Sequence, residues 1–210
     1  MKPPAITVWG TGTPRTLRVL WVLHELNLSY KTEQIITRTE SMDRQDFLAV
    51  SPGKKIPALQ HGDFTMTESG AITQFLIDNY SEESWTAEQR ASIVRWSYFV
   101  ITEIDATALY VIRRHEGLPN IYGEAPAAIS SSYEYADRQF NVISDVLEDD
   151  SNYLVGGKFS VADVHLVTCI AWARMLKMSL STSLNSYADR LMARPAFLEA
   201  SEINAMPASM

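Results

Sequence analysis

Ser51-Pro52-Gly53-Lys54-Lys55-Ile56-Pro57-Ala58-Leu59-Gln60-His61-Gly62-Asp63-Phe64-Thr65-Met66-Thr67-Glu68-Ser69-Gly70-Ala71-Ile72 is the stretch on which the fold turns. Ile56 to Gln60 and Phe64 to Met66 are short and β-prone, and His61-Gly62-Asp63 between them reads as a hairpin with a Gly-Asp turn. A helix is expected from about Ser69 to Asn79. Strands joined by so short a turn run antiparallel. Upstream the order differs. Ile6-Thr7-Val8-Trp9 reads as a strand that stops at Gly10-Thr11-Gly12. Pro14 then suits a first helical position, whose N–H has no partner anyway. Leu17, Leu20, Trp21, His24 and Leu28 recur at spacings of three and four, a helix with one buried stripe. Tyr30 to Ile36 reads as a second strand. Strands joined by a helix run parallel. The order β-α-β, then β-β-α, therefore predicts a small mixed sheet with helices packed on it. Eighty residues give a marginal core, so this domain is expected to lean on something else.

The rest of the chain reads as helical. Thr86-Ala87-Glu88-Gln89 is a capping-box start to a long pattern from about Ala87 to His115. Gly117-Leu118-Pro119-Asn120 and Tyr122-Gly123 break it. Another helix is expected from roughly Pro126 to Leu147, then a polar loop at Asp149-Asp150-Ser151-Asn152. A further helix begins after Phe159-Ser160, and shorter ones cover Leu184 to Met192 and Ala196 to Ile203. The division is residues 1–80 as an α/β domain, 81–85 as a linker and 86–210 as an all-helical domain.

Composition narrows the function classes. The 210 residues carry 25 acidic and 18 basic side chains, a net charge of −7, which gives no reason to expect a nucleic-acid partner. No apolar run approaches the roughly 18 residues of a spanning helix. Met1-Lys2-Pro3-Pro4-Ala5 lacks the layout of a signal peptide. Cys169 is the only cysteine, so no internal disulfide and no cysteine zinc site can form. His24, His61, His115 and His165 share no ligand spacing, so no metal is expected. Together these features predict a soluble, cytoplasmic protein without membrane or nucleic-acid partners.

Three local patterns can carry chemistry. Thr13 precedes Pro14 where strand turns into helix; its hydroxyl either caps the helix or, beside unpaired N–H groups and the positive helix end, stabilises an anion such as a thiolate. Pro57, after a Gly-containing loop, is either an ordinary loop proline or a cis one that turns the Ile56 backbone outward to pair with a peptide-like ligand. Glu68-Ser69 at a helix start is either a routine N-terminus or a head-group reader, with Ser69 offered to a carboxylate and Glu68 to an ammonium.

Taken in order along the chain, these patterns resemble the soluble glutathione transferase family, and of its members the bacterial-like ones with a Ser/Thr-type active site. Strand–turn–Thr13-Pro14–helix, with Arg18 five residues after Thr13, is similar to the family's opening, where a Ser, Cys, Thr or Tyr contacts the thiol of glutathione. Ser51-Pro52 through Leu59 is similar to its Asn-Pro-x-Gly-Lys-Val-Pro-x-Leu segment. Glu68-Ser69-Gly70-Ala71-Ile72 matches its Glu-Ser-x-Ala-Ile element. Gly157 to Asp163 resembles its buried helix start, with Ser160 and Asp163 as a capping pair, and Arg190 to Phe197 resembles its C-terminal helix junction.

The resemblance implies a thioredoxin-like first domain that binds glutathione and a helical second domain that contributes the electrophile pocket. It implies Thr13 as catalytic, Lys55, Ile56, Pro57, Glu68 and Ser69 as glutathione-binding, and Tyr110, Arg113 and Arg114 as candidates for the pocket. Arg15, whose guanidinium either stabilises a thiolate electrostatically or reaches solvent, is placed beside Thr13 as the second catalytic candidate. It further implies a homodimer, with Glu103 or Asp105 as candidates to reach the glutathione of a partner subunit. Glutathione is the expected co-substrate, a small hydrophobic electrophile the second ligand, and detoxification the role. Departures are visible: Lys54 stands where the family often has Gly, Ser51 where it has Asn, and Thr11 or Thr16 can stand in for Thr13. Thr13-Pro14 is also similar to the Thr-Pro-Asn opening of bacterial glutathione-dependent disulfide reductases, with Arg15 in place of the Asn, which keeps that activity open. A non-catalytic glutathione-binding or structural module is the third alternative. Cys169, in an apolar helix segment, is read as core packing.

Overall fold

Four short strands form the sheet that the hairpin and crossover predict. The computed structural model describes residues 4–147 and 152–205; Met1 to Pro3 and the loop residues Asp149, Asp150 and Ser151 lie outside them. β1 (Ile6–Trp9) and β2 (Lys31–Glu33) are parallel, joined by α1 (Pro14–Glu25), while β3 (Ala58–His61) and β4 (Phe64–Thr67) form the antiparallel hairpin before α3 (Ser69–Tyr80). The sheet order is β2-β1-β3-β4, with Val8 opposite Leu59 and Leu59 opposite Met66. The hairpin loop is two residues, with Gly62 at φ 61°, the geometry that a tight twisted hairpin requires of its first loop position. This is a thioredoxin-like arrangement followed by helices.

Two features differ from the sequence reading. The second strand is shorter than Tyr30 to Ile36, and a 3₁₀ turn (Glu40–Asp43) with α2 (Gln45–Val50) follows it. Phe47 and Val50 of α2 are buried with Trp9, Ile35 and Ala58, so tertiary packing holds a six-residue helix that has no side-chain cap. The second difference concerns the end of the chain. By internal contacts one compact unit runs to Glu83 and takes back the chain from Ala193, while the other spans Ser84–Met192. The last helix, α10 (Pro195–Asn204), thus belongs with the sheet and not with the other helices. The reason lies in α1, where Val19 to Leu23 are all buried and the sheet cannot cover every side. Phe197 of α10 meets Trp21 edge-on at 4.9 Å, and Arg194 pairs through two bonds of 2.6 Å with Glu25. That cover is the support a marginal eighty-residue core needs.

The second unit opens with α4 (Ala87–Phe99), whose Thr86–Gln89 capping box is formed in both directions. The helix continues as a π-helical stretch (Val100–Leu109), the single turn α5 (Tyr110–Ile112) and a second π segment (Arg113–Gly117). α6 (Pro119–Tyr122), α7 (Pro126–Leu147), α8 (Val161–Met175) and α9 (Thr182–Met192) complete it. Every residue of α8 from Val161 to Ile170 is buried, Cys169 included, as befits a helix at the centre of a core.

Candidate functional site

The site is assembled in the first unit by three loops, and Gly10 decides how closely two of them meet. Gly10 ends β1 at φ 115°, and a Cβ there would lie 2.6 Å from the Cβ of Ile56. Only glycine lets the β1–α1 loop approach the Ile56-Pro57 segment so closely. The Ile56-Pro57 bond is cis. Among the described residues the N–H and C=O of Ile56 take no hydrogen-bond partner, whereas its neighbour is pinned: Lys55 N–H donates to Ser51 Oγ at 3.1 Å and the same hydroxyl donates to Lys55 O at 2.9 Å. Ser51 is fully buried, so one of the two departures from the family segment braces the bend. Lys55 itself is exposed and Pro57 is buried.

Thr13 is the N-cap of α1, with φ −129° and ψ 150°. Its Oγ1 accepts from Thr16 N–H at 3.0 Å and lies 2.9 Å from Thr16 Oγ1. Of the three candidate hydroxyls, Thr16 is fully buried and Thr11 is 3% exposed, leaving Thr13 as the half-exposed one that a ligand can touch. Pro14 contributes no N–H, and no acidic residue occupies the first turn to neutralise the helix end. Arg15 is half-buried in that turn.

At the start of α3, Ser69 is buried while Glu68 is exposed, at φ 70° and ψ 106°. A non-glycine residue held there costs about 1–3 kcal/mol, and such positions cluster at ligand clamps. Glu68 makes no side-chain cap to the helix. Behind Ser69, the buried Arg18 donates from Nη1 to Ser69 Oγ at 3.4 Å. A permanent positive charge therefore backs the positive end of α3, a setting that favours a carboxylate.

In the second unit, Tyr110, Arg113 and Arg114 are half-buried where π and α geometry meet, and Arg114 lies over the Tyr122 ring at 4.5 Å. Asp105 is buried and Glu103 accepts from Tyr135, so neither carboxylate projects unengaged. Among the described residues no group of three or more His, Cys, Asp or Glu is placed to hold a metal, and no helix is long and apolar enough to cross a membrane.

Sequence reasoning missed one member of this region. Asn204, the last residue of α10, bonds to Gly12 and Thr13. No local signal marks it, because its partners lie at the other end of the chain.

The family descriptions fit both parts of the chain. Residues 4–78 match the glutathione S-transferase N-terminal domain and residues 101–195 match the glutathione S-transferase C-terminal domain. The chain belongs to the glutathione S-transferase family. Among relatives, the glutathione S-transferase-like protein gedE of Aspergillus terreus is 26% identical over 90% of this chain and 91% of its own. Many solved structures share the fold of this transferase-family chain, and two serve as examples. A glutathione transferase homolog from Lodderomyces elongisporus, solved with two GSH per subunit, superposes with a TM-score of 0.87 at 21% identity, covering 98% of this chain and 100% of that one. A glutathione transferase from Pseudomonas putida, with one glutathione disulfide per subunit, gives 0.85 at 20% identity, covering 97% and 94%.

Proposed function

We propose that the protein is a glutathione transferase that binds glutathione on its first unit and activates the thiol as a thiolate for attack on a hydrophobic electrophile. The observation that carries this reading is Thr13: a half-exposed hydroxyl at the positive end of α1, on a loop that Gly10 brings against Ile56. The unpaired Ile56 backbone suits the cysteinyl unit of the tripeptide. Ser69, backed by Arg18, suits the γ-glutamyl carboxylate, Glu68 its ammonium, and Lys55 the glycyl carboxylate. Thr16 N–H donates to Thr13 Oγ1; when Thr16 O–H also donates, the Thr13 proton is free for a thiolate. A donated hydrogen bond favours the charged form of a thiol whose free pKa is about 8.5. Arg15 adds positive charge to the same turn. Tyr110, Arg113 and Arg114 are the proposed electrophile-facing residues, and the proposed assembly is a cytoplasmic homodimer.

The test is Thr13→Val, which keeps the shape and removes the hydroxyl. Turnover with an aryl halide should fall about 100-fold, the scale of one lost oxyanion-type donor. The bound thiol pKa, followed by thiolate absorbance, should rise towards about 8.5, while glutathione affinity changes little. Unchanged turnover would move the role to another group. A second reading, reduction of a disulfide by the bound thiolate, is favoured by the Pseudomonas putida relative, which was solved with glutathione disulfide. Faster turnover of a model disulfide than of an aryl halide would select it.

A further inference from the structure

The loop that carries Thr13 is held from two sides. On one, Gly10 N–H donates to Glu33 O at 2.9 Å and Thr11 N–H to Ile35 O at 3.2 Å, extending the pairing of β1 with β2. On the other, among the described residues, the bonds that reach Gly12 and Thr13 from outside α1 come from Asn204, 191 positions beyond Thr13; within α1, Leu17 N–H donates to Thr13 O and Thr16 N–H to Thr13 Oγ1, both at 3.0 Å. Asn204 Oδ1 accepts from Gly12 N–H at 3.0 Å, its main-chain oxygen accepts from the same N–H at 3.0 Å, and its Nδ2 donates to Thr13 O at 3.1 Å. The carboxamide therefore brackets the Gly12–Thr13 unit before and after the Thr13 Cα. Gly12, at φ 76°, is a flexible joint beside Thr13, and this bracket restrains it.

α10 is fixed well enough to act as the strut. It runs antiparallel to α1: Asn204 meets Thr13 at one end and Arg194 meets Glu25 at the other. Between them Phe197 packs on Trp21, and His24 bonds Glu199 at 2.8 Å and Tyr30 at 2.8 Å. Arg194 with Glu25 and His24 with Glu199 thus pair with one another along the two helices, which suits holding a helix more than holding a ligand.

We propose that Asn204 is a positioning residue for the thiol-activating hydroxyl: the chain's last helix sets the direction in which Thr13 presents its oxygen. This rests on the reading of Thr13 given above, and the experiment separates the two. Thiolate absorbance of bound glutathione against pH, steady-state kinetics with an aryl halide and thermal unfolding are measured in four full-length variants. Asn204→Ala should raise the bound thiol pKa by about one unit, so that kcat falls up to tenfold below that pKa while KM for glutathione stays within about twofold. Asn204→Asp keeps the acceptor, loses the donor to Thr13 O and adds a like charge, so its pKa rise should be at least as large. Glu199→Ala removes the bond to His24 at the middle of the same helix and should lower Tm slightly without moving the thiol pKa. A Thr13→Val variant with a raised pKa beside Asn204 variants with none would overturn the inference and leave the Thr13 reading standing. An equal shift in Glu199→Ala would reduce Asn204 to general docking and overturn it too. No shift in Thr13→Val would sink the Thr13 reading itself, and with it the role assigned to Asn204.

Discussion

α1 and α8 both begin at a hydroxyl residue, and they use it in opposite ways. At α8, Ser160 N–H and Oγ both donate to Asp163 Oδ2, at 2.7 and 2.8 Å, while Leu154 N–H and Tyr187 O–H donate to Asp163 Oδ1 at 2.9 and 2.5 Å. The carboxylate is fully buried and its oxygens are filled from within the unit. Burial pushes its carboxyl above the usual range, against the pull of those four bonds, and burial beside Asp163 pushes the Tyr187 hydroxyl up as well. At α1, Thr13 is half-exposed, Pro14 supplies no N–H, and no first-turn acid closes the end. A cap answered completely from inside is architecture. One left open beside unpaired backbone has capacity to spare for a ligand.

The largest expected effect breaks the closed end. Asp163→Ala strands the buried donors of Leu154, Ser160 and Tyr187, each costing about 1–3 kcal/mol when unpaired. The loss should be on the order of 4 kcal/mol, a large part of a typical stability of about 5–15 kcal/mol. Urea unfolding of the full chain measures it. The fraction that stays folded should bind glutathione with the wild-type affinity, because the first unit is untouched. Thr13→Val has the reverse signature, with a stability cost of about 1 kcal/mol for a lost cap and a large loss of turnover. If Asp163→Ala is nearly neutral, the contrast between the two helix ends fails.

Glu68 tests the open end at α3, where the proposed recognition of glutathione and an observed positive φ fall on one residue. Glu68→Ala and Glu68→Gly should both weaken glutathione binding about 10- to 100-fold, the worth of a charge-assisted hydrogen bond of about 1.5–3 kcal/mol. Their stabilities should part. At φ 70° alanine keeps the left-handed penalty and glycine escapes it, so the glycine variant should be about 1 kcal/mol the more stable of the two. Calorimetric titration reads the first quantity and thermal unfolding the second. Equal stabilities would show that the strain is not stored at Glu68, while unaltered binding in both variants would remove Glu68 from the proposed site.

How much of this was legible follows the range of each interaction. The hairpin and the βαβ crossover rest on neighbours in sequence, so the sheet and its mixed order could be read from residues 6–67. Ser160 and Asp163 are three residues apart and were equally readable. α2 was not, because nothing local begins it; Phe47 and Val50 are helical through their packing on Trp9 and Ile35. Nor was the return of α10, which depends on Arg194 finding Glu25 across 169 residues and Asn204 finding Thr13 across 191. At the candidate site, the sequence names residue types and leaves their exposure open. Thr11, Thr13 and Thr16 look alike in sequence, and burial alone separates them.

Lys54 carries the smallest effect and sharpens the boundary of the open region. It stands where the family segment often has glycine, and its φ of 51° gives the physical reason, a left-handed turn that side chains resist. Its ammonium pairs with Asp43, but the two side chains are 50% and 65% exposed, so the pair contributes little. Lys54→Gly should therefore gain a little stability despite losing the pair, and Lys54→Ala should lose a little, because it gives up the pair and keeps the strain. The two variants should differ by about 1 kcal/mol, or roughly 2–4 °C in Tm for a chain of this size. Glutathione affinity should be the same in both, since the adjoining bend is held by Ser51 on Lys55 and not by Lys54. Weaker binding in Lys54→Gly alone would mean that the rigidity of this turn, and not only the unpaired backbone of Ile56, belongs to the binding surface.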